Sequence, residues 1–389
     1  MTTKTREFFF QHNFSMLNRP GFVILVAVLL SGCSTSLKLH LPLSHTPSDV
    51  LMFGKTPEHR FADTSAFTFP LSVVWEYDAS AGFGSGSPII VGNALIIGTL
   101  QGELHAVDME TGKNINSTKT YAPVSCSPAV YKKYLIVGTE SINDNLLWID
   151  TDNGGIEWSR NIGGVVASPI IKDSLLFAGG LDGRFYCFQA GFDAKNWSFD
   201  TGSPIRSSPC AWKDLVYCAN SNGTVFAFDI DSGILRWKFG THNAVFASLT
   251  VSDGKLFVAS RDSNLYIIDG QSGVIDKKIF IGDKMMAAPA IDQGTVFIPS
   301  LDGALYAFSI SDGSLLWKFQ SKNAINTSPI VTPAAIFVAS LDHHLYAVSR
   351  IDGREMWNHD FNSRIKTTPL VRNNAIFIAA EDKNVYLLR

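Results

Sequence analysis

The sequence of 389 residues has little charge, few cysteines and no long apolar run. Asp, Glu, Lys and Arg make up 17% of it, and its formal net charge is −3. No run of Lys and Arg with interleaved aromatic residues occurs, so nothing indicates a nucleic-acid partner. The G-x-S-x-G, P-loop and H-E-x-x-H motifs are also missing, which argues against the enzyme classes that carry them.

The cysteines do not form a pattern typical of a metal or redox site. Apart from Cys33, they lie inside apolar runs, at Cys126, Cys187, Cys210 and Cys218. A free cysteine packs as a small apolar residue, so we predict four buried thiols. Cys210 and Cys218 fall in neighbouring predicted strands, and a disulfide between them stays open because sequence does not give its geometry.

The N-terminus is typical of a lipoprotein signal peptide, predicted at residues 1–32, with Met16 as an alternative start. Its apolar run at residues 22–30 is far shorter than the about 20 residues of a transmembrane helix. The run ends in Leu-Ser-Gly-Cys, which resembles the bacterial lipobox and implies a palmitate-type lipid anchor on Cys33. An ordinary signal peptide with an incidental cysteine is the alternative. In the class that it resembles, Ser34 after the cysteine favours sorting to the outer membrane.

Residues 33–69 contain several prolines, scattered His and Ser, and no sustained hydrophobic period. This composition favours a flexible connection, so we predict a lipid-anchored tether over residues 33–69. The regular part of the sequence begins at residue 70.

From residue 70 to residue 389 the sequence repeats with a period of 40 or 41 residues. Each unit holds four short runs rich in β-branched and aromatic residues, separated by turn signals such as Asp-Gly, as in residues 286–319. Units of four antiparallel strands that are apolar on both faces must stack on their neighbours, which predicts a β-propeller. Each of eight units carries a small residue before proline, or before leucine in one case: the steps end at Pro88, Pro128, Pro169, Pro209, Leu249, Pro289, Pro329 and Pro369.

The two ends of the repeat are complementary. The last unit ends at Arg389 without a fourth, tryptophan-bearing strand, and such a strand stands at residues 73–77, ahead of the first unit. Pairing the two ends would complete the last unit and remove open strand edges. We therefore predict an all-β fold, an eight-bladed β-propeller of four-stranded antiparallel blades, closed by an N-terminal strand that completes the last blade.

The repeat resembles a known family pattern. The run LDGALYAF at residues 301–308, followed by Asp312, Gly313 and Trp317, resembles the PQQ-type propeller repeat. That repeat occurs in quinoprotein dehydrogenases and in the BamB family of outer-membrane assembly lipoproteins, and the resemblance covers residues 70–389. The lipobox, the length and the eight units without a large extra domain are similar to the BamB family, which implies a role in outer-membrane protein assembly.

Neither a cofactor nor a metal site is expected. Quinoprotein dehydrogenases typically carry adjacent cysteines over the cofactor, and this sequence has no Cys-Cys pair. His343 and His344 are adjacent, but they stand where other units have turn residues, so a turn is favoured over a metal site. The aspartates that end the third strands are predicted to cap the following turns, without a catalytic role. They are Asp108, Asp150, Asp229 and Asp269.

Basic residues collect in the segments that lead into the innermost strands of the later units. These segments should meet at one mouth of the central channel, and in the first three units they are glycine-rich or apolar. A basic arc on an acidic protein could hold an anionic or carboxylate-bearing partner, whereas the alternative is that these charges only keep the rim soluble. The candidate partner-binding residues are Arg206, His242, Lys284, Arg364 and Lys366.

Two classes of function follow from these observations. The favoured one is a non-enzymatic, monomeric lipoprotein scaffold, anchored in the outer membrane and facing the periplasm, that binds proteins of the outer-membrane assembly complex through propeller loops. The alternative is a ligand-binding propeller, either a degenerate quinoprotein or a sensor of a small anion or glycan. Co-purification with an assembly complex would support the first class, and a small molecule bound in the channel would support the second.

Overall fold

The computed structural model describes residues 49–191 and 194–389, which form eight four-stranded antiparallel sheets. The predictions for the signal peptide, for the lipid anchor on Cys33 and for the start of the tether lie outside these described residues. No part of the described chain forms an apolar helix of membrane-spanning length. The predicted eight-bladed propeller is confirmed.

The first four blades follow one another along the chain, each from its innermost to its outermost strand. Blade 1 contains β2 (Ile89–Val91), β3 (Ala94–Gly98), β4 (Glu103–Asp108) and β5 (Asn114–Lys119). Blade 2 contains β6 (Ala129–Tyr131), β7 (Tyr134–Gly138), β8 (Leu146–Asp150) and β9 (Ile156–Arg160). Blade 3 contains β10 (Ile170–Lys172), β11 (Leu175–Gly179), β12 (Arg184–Gln189) and β13 (Lys195–Asp200). Blade 4 contains β14 (Cys210–Trp212), β15 (Leu215–Ala219), β16 (Thr224–Asp229) and β17 (Leu235–Gly240).

The remaining blades repeat this order, except that blade 8 takes its outermost strand from the front of the described chain. Blade 5 contains β18 (Thr250–Ser252), β19 (Lys255–Ala259), β20 (Asn264–Asp269) and β21 (Ile275–Phe280). Blade 6 contains β22 (Ala290–Asp292), β23 (Thr295–Pro299), β24 (Ala304–Ser309) and β25 (Leu315–Gln320). Blade 7 contains β26 (Ile330–Val331), β27 (Ile336–Ala339), β28 (His344–Val348) and β29 (Glu355–Asp360). Blade 8 contains β30 (Leu370–Arg372), β31 (Ala375–Ala379), β32 (Asn384–Leu388) and β1 (Val73–Asp78).

The sequence pattern of each strand follows its distance from the channel. The second strands are buried almost throughout, because both of their faces pack on neighbouring blades. The outermost strands alternate instead: β17, and β29 from its second residue onward, switch between exposed and half-buried residues, as a strand with one wet face does. The aspartates predicted to cap turns do so, since the carboxylate of Asp229 accepts hydrogen bonds from the main chain and hydroxyl of Ser232.

The recurring small residue before proline joins one blade to the next. At four of these steps a hydroxyl oxygen accepts a hydrogen bond from the main-chain N–H of the equivalent residue in the preceding blade, at 2.9–3.1 Å. Because the repeat places each step at the same height, these bonds form a belt around the channel. The accepting residues are Ser168, Ser208, Ser328 and Thr368.

The tryptophans of the outermost strands pack between blades, as their spacing predicts. Each of four indole N–H groups donates to a main-chain carbonyl of the next blade, at 2.8–3.1 Å. The ring also lies flat against a glycine of that blade, so that an added Cβ would stand 2.5–2.7 Å from the indole. The pairs are Trp75 with Gly112, Trp197 with Gly233, Trp237 with Gly273 and Trp317 with Gly353.

Gly273→Ala should destabilise the protein more than Gly313→Ala. Both glycines have a positive φ, +73° and +77°, so both substitutions carry a backbone cost of about 1 kcal/mol or more. At Gly273 the new methyl group would also overlap Trp237, whereas at Gly313 it would meet Lys277 at 3.5 Å. The extra overpacking cost should be about 1–3 kcal/mol. Urea unfolding of the two variants measures the difference, and equal losses of stability would contradict the packing role of the indole.

The flexible tether predicted for residues 33–69 is wrong for its described part, from Asp49 onward. Residues 49–63, here called the plug segment, cross one end of the central channel and accept main-chain hydrogen bonds from six blades. The continuation packs on blade 7, where the Phe67 ring lies 4.8 Å from that of Phe337. The plug segment is held by scattered main-chain hydrogen bonds and isolated buried side chains, which leave no period in the sequence. Its buried apolar residues are Val50, Met52, Phe53 and Phe61.

Candidate functional site: the channel mouth

The two ends of the channel differ in what closes them. The turn face carries the turns between first and second strands, and there Asp49 accepts a hydrogen bond from Gly92 and pairs with Arg372. The mouth face carries the segments that lead from each outermost strand into the next innermost strand. The plug segment enters from the turn face, and its Phe53 forms the floor of a cavity of about 70 Å³ below the mouth. The channel is therefore a blind pocket that opens on the mouth face.

The wall of this pocket is formed by residues that stand three positions before each proline step. The repeat brings them to the same height from different blades, and they are chemically mixed. Hydroxyl oxygens deeper in the wall, such as that of Ser208, are already used in the belt between blades. Among the three-before-proline positions, those that line the pocket are Ser85, Val166, Arg206, Phe246, Met286 and Asn326.

Of the five predicted basic residues, Arg206 is the one that lines the pocket. It is exposed, and among the described residues no carboxylate forms an ion pair with it. Its neighbours on the pocket wall include Phe246, whose ring is covered by the guanidinium of Arg261 at 4.9 Å. The side-chain oxygen of Asn326 is buried and has no hydrogen-bond partner among the described residues. Arg206 therefore offers an unneutralised cation on a pocket wall of mixed polar and apolar side chains.

Arg364 and Lys366 do reach the mouth, but a shared carboxylate offsets one of their two charges. Both pair with Glu381, with 2.8 Å between Nε of Arg364 and the carboxylate. Burial opposes ionisation of Glu381, but the hydrogen bond and charge of Lys366, together with Arg364, outweigh it and lower the pKa of this carboxyl. The basic arc expected from the sequence is therefore interrupted at blade 8.

His242 and Lys284 are exposed on separate loops of the mouth face. The main-chain N–H of His242 donates to Asp262 at 2.9 Å, and that of Lys284 donates to Asp283 at 2.7 Å. These bonds fix the loops and leave both side chains in solvent. The structure thus places all five candidates on one face, with Arg206 at the pocket and the others around it.

The repeat predicts which residue lies beside each mouth residue in the adjacent turn. The residue 15 positions further along lies in the adjacent turn of the same blade, as Glu381 does for Lys366 and Arg261 does for Phe246. The corresponding neighbour of Arg206 is Ser221, which carries no charge. Phe53 has no such signal, because it lies outside the repeats.

The other candidate sites of the sequence are structural. His343 lies in a turn at φ 80°, and His344 contacts the main-chain oxygen of Asp342 at 2.9 Å. Within residues 49–191 and 194–389 no group of three His, Cys, Asp or Glu side chains could hold a metal ion. The four described cysteines are free and buried, so the disulfide between Cys210 and Cys218 is not formed.

Solved structures share this architecture at low sequence identity. BamB from Moraxella catarrhalis matches with a TM-score of 0.71 and 17% identity, covering 82% of this chain and 100% of that one. A europium-containing methanol dehydrogenase matches with a TM-score of 0.75 and 13% identity over 87% and 90% of the two chains. The computationally designed Ika8 protein matches with a TM-score of 0.71 and 16% identity over 80% and 98%. At these identities the likeness shows a common fold, which enzymes and other proteins use alike.

Comparison with curated protein sequences gives no significant match. The family model described as outer membrane protein assembly factor BamB, in contrast, matches almost the whole propeller. Its successive matches span residues 72–162, 124–239, 182–278, 221–335 and 327–388. Together with the eight blades and the closing strand, these matches show that the chain belongs to the family of the outer membrane protein assembly factor BamB.

Proposed function

We propose that this protein is a non-enzymatic scaffold that binds proteins of the outer-membrane assembly complex through its mouth face. Membership of the BamB family supports a role in assembly. The resemblance of the residues around Cys33 to a lipobox supports a lipid anchor in the outer membrane, with the propeller in the periplasm. Mass spectrometry of the mature protein, searching for acyl chains on Cys33, tests the anchor separately.

The observation that carries the proposal is the position of Arg206. A guanidinium that no carboxylate neutralises within the described chain stands on the wall of a pocket whose lining mixes hydroxyl groups with apolar side chains such as Phe246 and Met286. Such a site fits a partner segment that presents an apolar side chain beside a carboxylate, because Arg can hold a carboxylate with two parallel hydrogen bonds. Exposed Arg next to aromatic residues is also typical of the parts of interfaces that contribute most to affinity.

The pocket is suited to binding and not to catalysis. Its hydroxyl groups accept hydrogen bonds from neighbouring blades, as Ser208 does from Ser168, which holds them in the belt. The plug segment begins on the opposite, turn face, where Asp49 meets Gly92. A tether from Cys33 would therefore join the propeller on that face and leave the mouth open to a partner.

Replacing Arg206 and Lys284 together by Ala should weaken capture of assembly-complex proteins by about tenfold or more. The loss should be larger at low salt, where screening of the two charges is weakest. Stability should change by less than about 0.5 kcal/mol, because both side chains are exposed. Affinity purification of the assembly complex from envelope extracts, with the tagged variants, measures the effect.

The matched control is the pair Lys132→Ala and Lys213→Ala. Both lysines are exposed in turns of the opposite face. Their replacement by Ala removes the same net charge as replacement of Arg206 and Lys284. An equal loss of capture in both pairs would mean that capture depends on the overall charge of the protein and not on the mouth. Unchanged capture in the Arg206 and Lys284 pair would contradict the mouth as the partner surface.

A further inference from the structure

The wall of the central channel consists of eight strand edges that no other strand of the propeller pairs. Each innermost strand pairs with the second strand of its blade on one side and faces the channel on the other. The N–H of its second residue therefore points into the channel, at the same height in every blade. Unpaired N–H groups along a strand edge are a ready template for another polypeptide. These residues are Ile90, Val130, Ile171, Ala211, Val251, Ile291, Val331 and Val371.

The plug segment uses these donors one at a time. Six of the eight N–H groups donate to its carbonyl oxygens at 2.9–3.2 Å, and two isolated bridges, at Val50 and Ala62, are its only ladder contacts within the described chain. At two of these edges the segment also donates a main-chain hydrogen bond, from Val50 to Ile90 and from Asp63 to Val331, so its backbone uses strand-edge donors and acceptors as an added peptide does. The accepting carbonyls belong to Val50, Leu51, Pro57, Glu58, Arg60 and Phe61.

Buried side chains add to this main-chain contact. Phe53 reaches the pocket below the mouth, and its ring lies 5.2 Å from Phe61 and 5.4 Å from His59. His59 is fully buried and contacts the carbonyl oxygen of Leu249 at 3.0 Å. The turn between these residues depends on Gly54, where a Cβ would come within 2.7 Å of the imidazole. A bound peptide would therefore need two aromatic anchors on either side of a compact turn.

The fit between segment and channel is incomplete. Three of its non-glycine residues adopt a positive φ, at Lys55, His59 and Phe61, which costs backbone energy. The Nε2 atom of His59 is buried without a hydrogen-bond partner among the described residues. A crevice of about 30 Å³ also remains between the segment and blades 7, 8 and 1. Local strain and an unfilled gap place this segment among the parts of a protein that open below the global unfolding energy.

We propose that the central channel is a polypeptide-binding site and that the plug segment is its resident, exchangeable occupant. With the segment in place, the channel is blind and open only at the mouth. When the segment withdraws, the six N–H groups and the two aromatic subsites become available to a peptide of the same chemistry. The proposal rests on the channel contacts alone and does not depend on the partner proposed for the mouth.

The test uses the full chain with a protease-cleavage sequence inserted after the exposed Thr64 and cut only after purification. The severed segment should stay bound through gel filtration and should be replaced by excess fluorescent peptide of residues 49–64. A peptide with Phe53→Ala and Phe61→Ala should bind at least about tenfold more weakly, since it lacks both anchors. The uncut insertion variant is the control for effects of the added sequence.

Two outcomes of this experiment would overturn the proposal. Immediate loss of the severed segment from a propeller that stays folded would show that the channel has no affinity for it. Unfolding of the propeller on exchange would show that the segment is part of the core. If the insertion variant does not fold, hydrogen exchange of the unmodified protein decides. The amides of Ile90, Val251 and Val331 should then exchange together and well before those of the second strands, and equal protection in both sets would refute the proposal.

Discussion

Deletion of residues 72–78 is expected to abolish folding into a soluble propeller, although it removes fewer than a tenth of the residues of the propeller. These residues contain β1, which pairs with β32 from Asp78 opposite Asn384 to Val73 opposite Leu388. Without β1, the long edge of β32 would be unpaired and the apolar side chains beside it would reach water, which favours aggregation. Soluble yield and circular dichroism measure the outcome. A soluble deletion variant that melts with the same midpoint as the intact protein would refute closure of the ring through this strand.

The substitution Trp75→Ala tests the same joint in a protein that still folds. The indole N–H donates to the carbonyl oxygen of Met109 at 3.1 Å, and the ring packs on Gly112 and near Phe377. Removal of this side chain should cost about 3 kcal/mol of unfolding free energy. Val74 belongs to the same strand and is 50% exposed, so Val74→Ala is the matched control and should cost less than about 0.5 kcal/mol. Similar costs for both would mean that the strand stabilises the ring through its main-chain pairing alone and that the packing of the indole does not contribute.

The propeller could be predicted because its causes recur in the sequence. A strand edge, a hydroxyl that bonds the preceding blade and an indole that packs on a glycine each return at about 40 residues. Any one of them would be weak evidence, but the repetition makes chance agreement improbable. The closing strand followed from the same logic, because Trp75 keeps the register of the other tryptophans at the opposite end of the repeats.

The plug segment could not be predicted in this way. Its hydrogen bonds to the innermost strands are made by main-chain groups, which all residue types carry, so no residue type marks them. The proline content and lack of a period were interpreted as flexibility, yet Pro57 contributes one of the accepting carbonyls. His59 and Phe61 become informative only once the ring exists to bury them. A segment that depends on a repeat without sharing its period leaves little trace in a single sequence.

The sequence predicts where the basic residues of the mouth lie, but the predicted arc leaves out the acidic residue beside two of them. The proline steps predict Arg206, Arg364 and Lys366 on one face; Arg206 lines the pocket, whereas Arg364 pairs with Glu381 outside it. The basic arc leaves out Glu381, which stands in the next turn, pairs with two of the three and offsets one of their charges. The repeat held this information, because the residue 15 positions beyond a mouth residue lies next to it in each blade. Pairing positions across turns, and not only along strands, would have singled out Arg206.

Acidification should destabilise the protein through His59. Burial, opposed only in part by the contact with the carbonyl of Leu249, lowers the pKa of His59 from 6.5 to about 4. The imidazole is therefore neutral in the folded protein at pH 7, while in the unfolded chain it takes up a proton as the pH falls below about 6.5. Stability contributed by the neutral form is present above pH 6.5 and is lost progressively down to pH 4. The loss should reach about 3 kcal/mol.

The comparison that isolates this effect is between wild type and His59→Gln, each unfolded in urea at pH 7 and at pH 4. His59→Gln removes the titrating group, so its stability should fall by about 3 kcal/mol less than that of wild type over this range. The control is His242→Gln, which removes an exposed histidine outside the plug segment. The remaining titratable groups are the same in wild type and His59→Gln, so their contributions cancel in the comparison. Parallel curves for wild type and His59→Gln would mean that the imidazole is not held neutral in the channel, and the packing of the plug segment around Phe53, His59 and Phe61 would then be wrong.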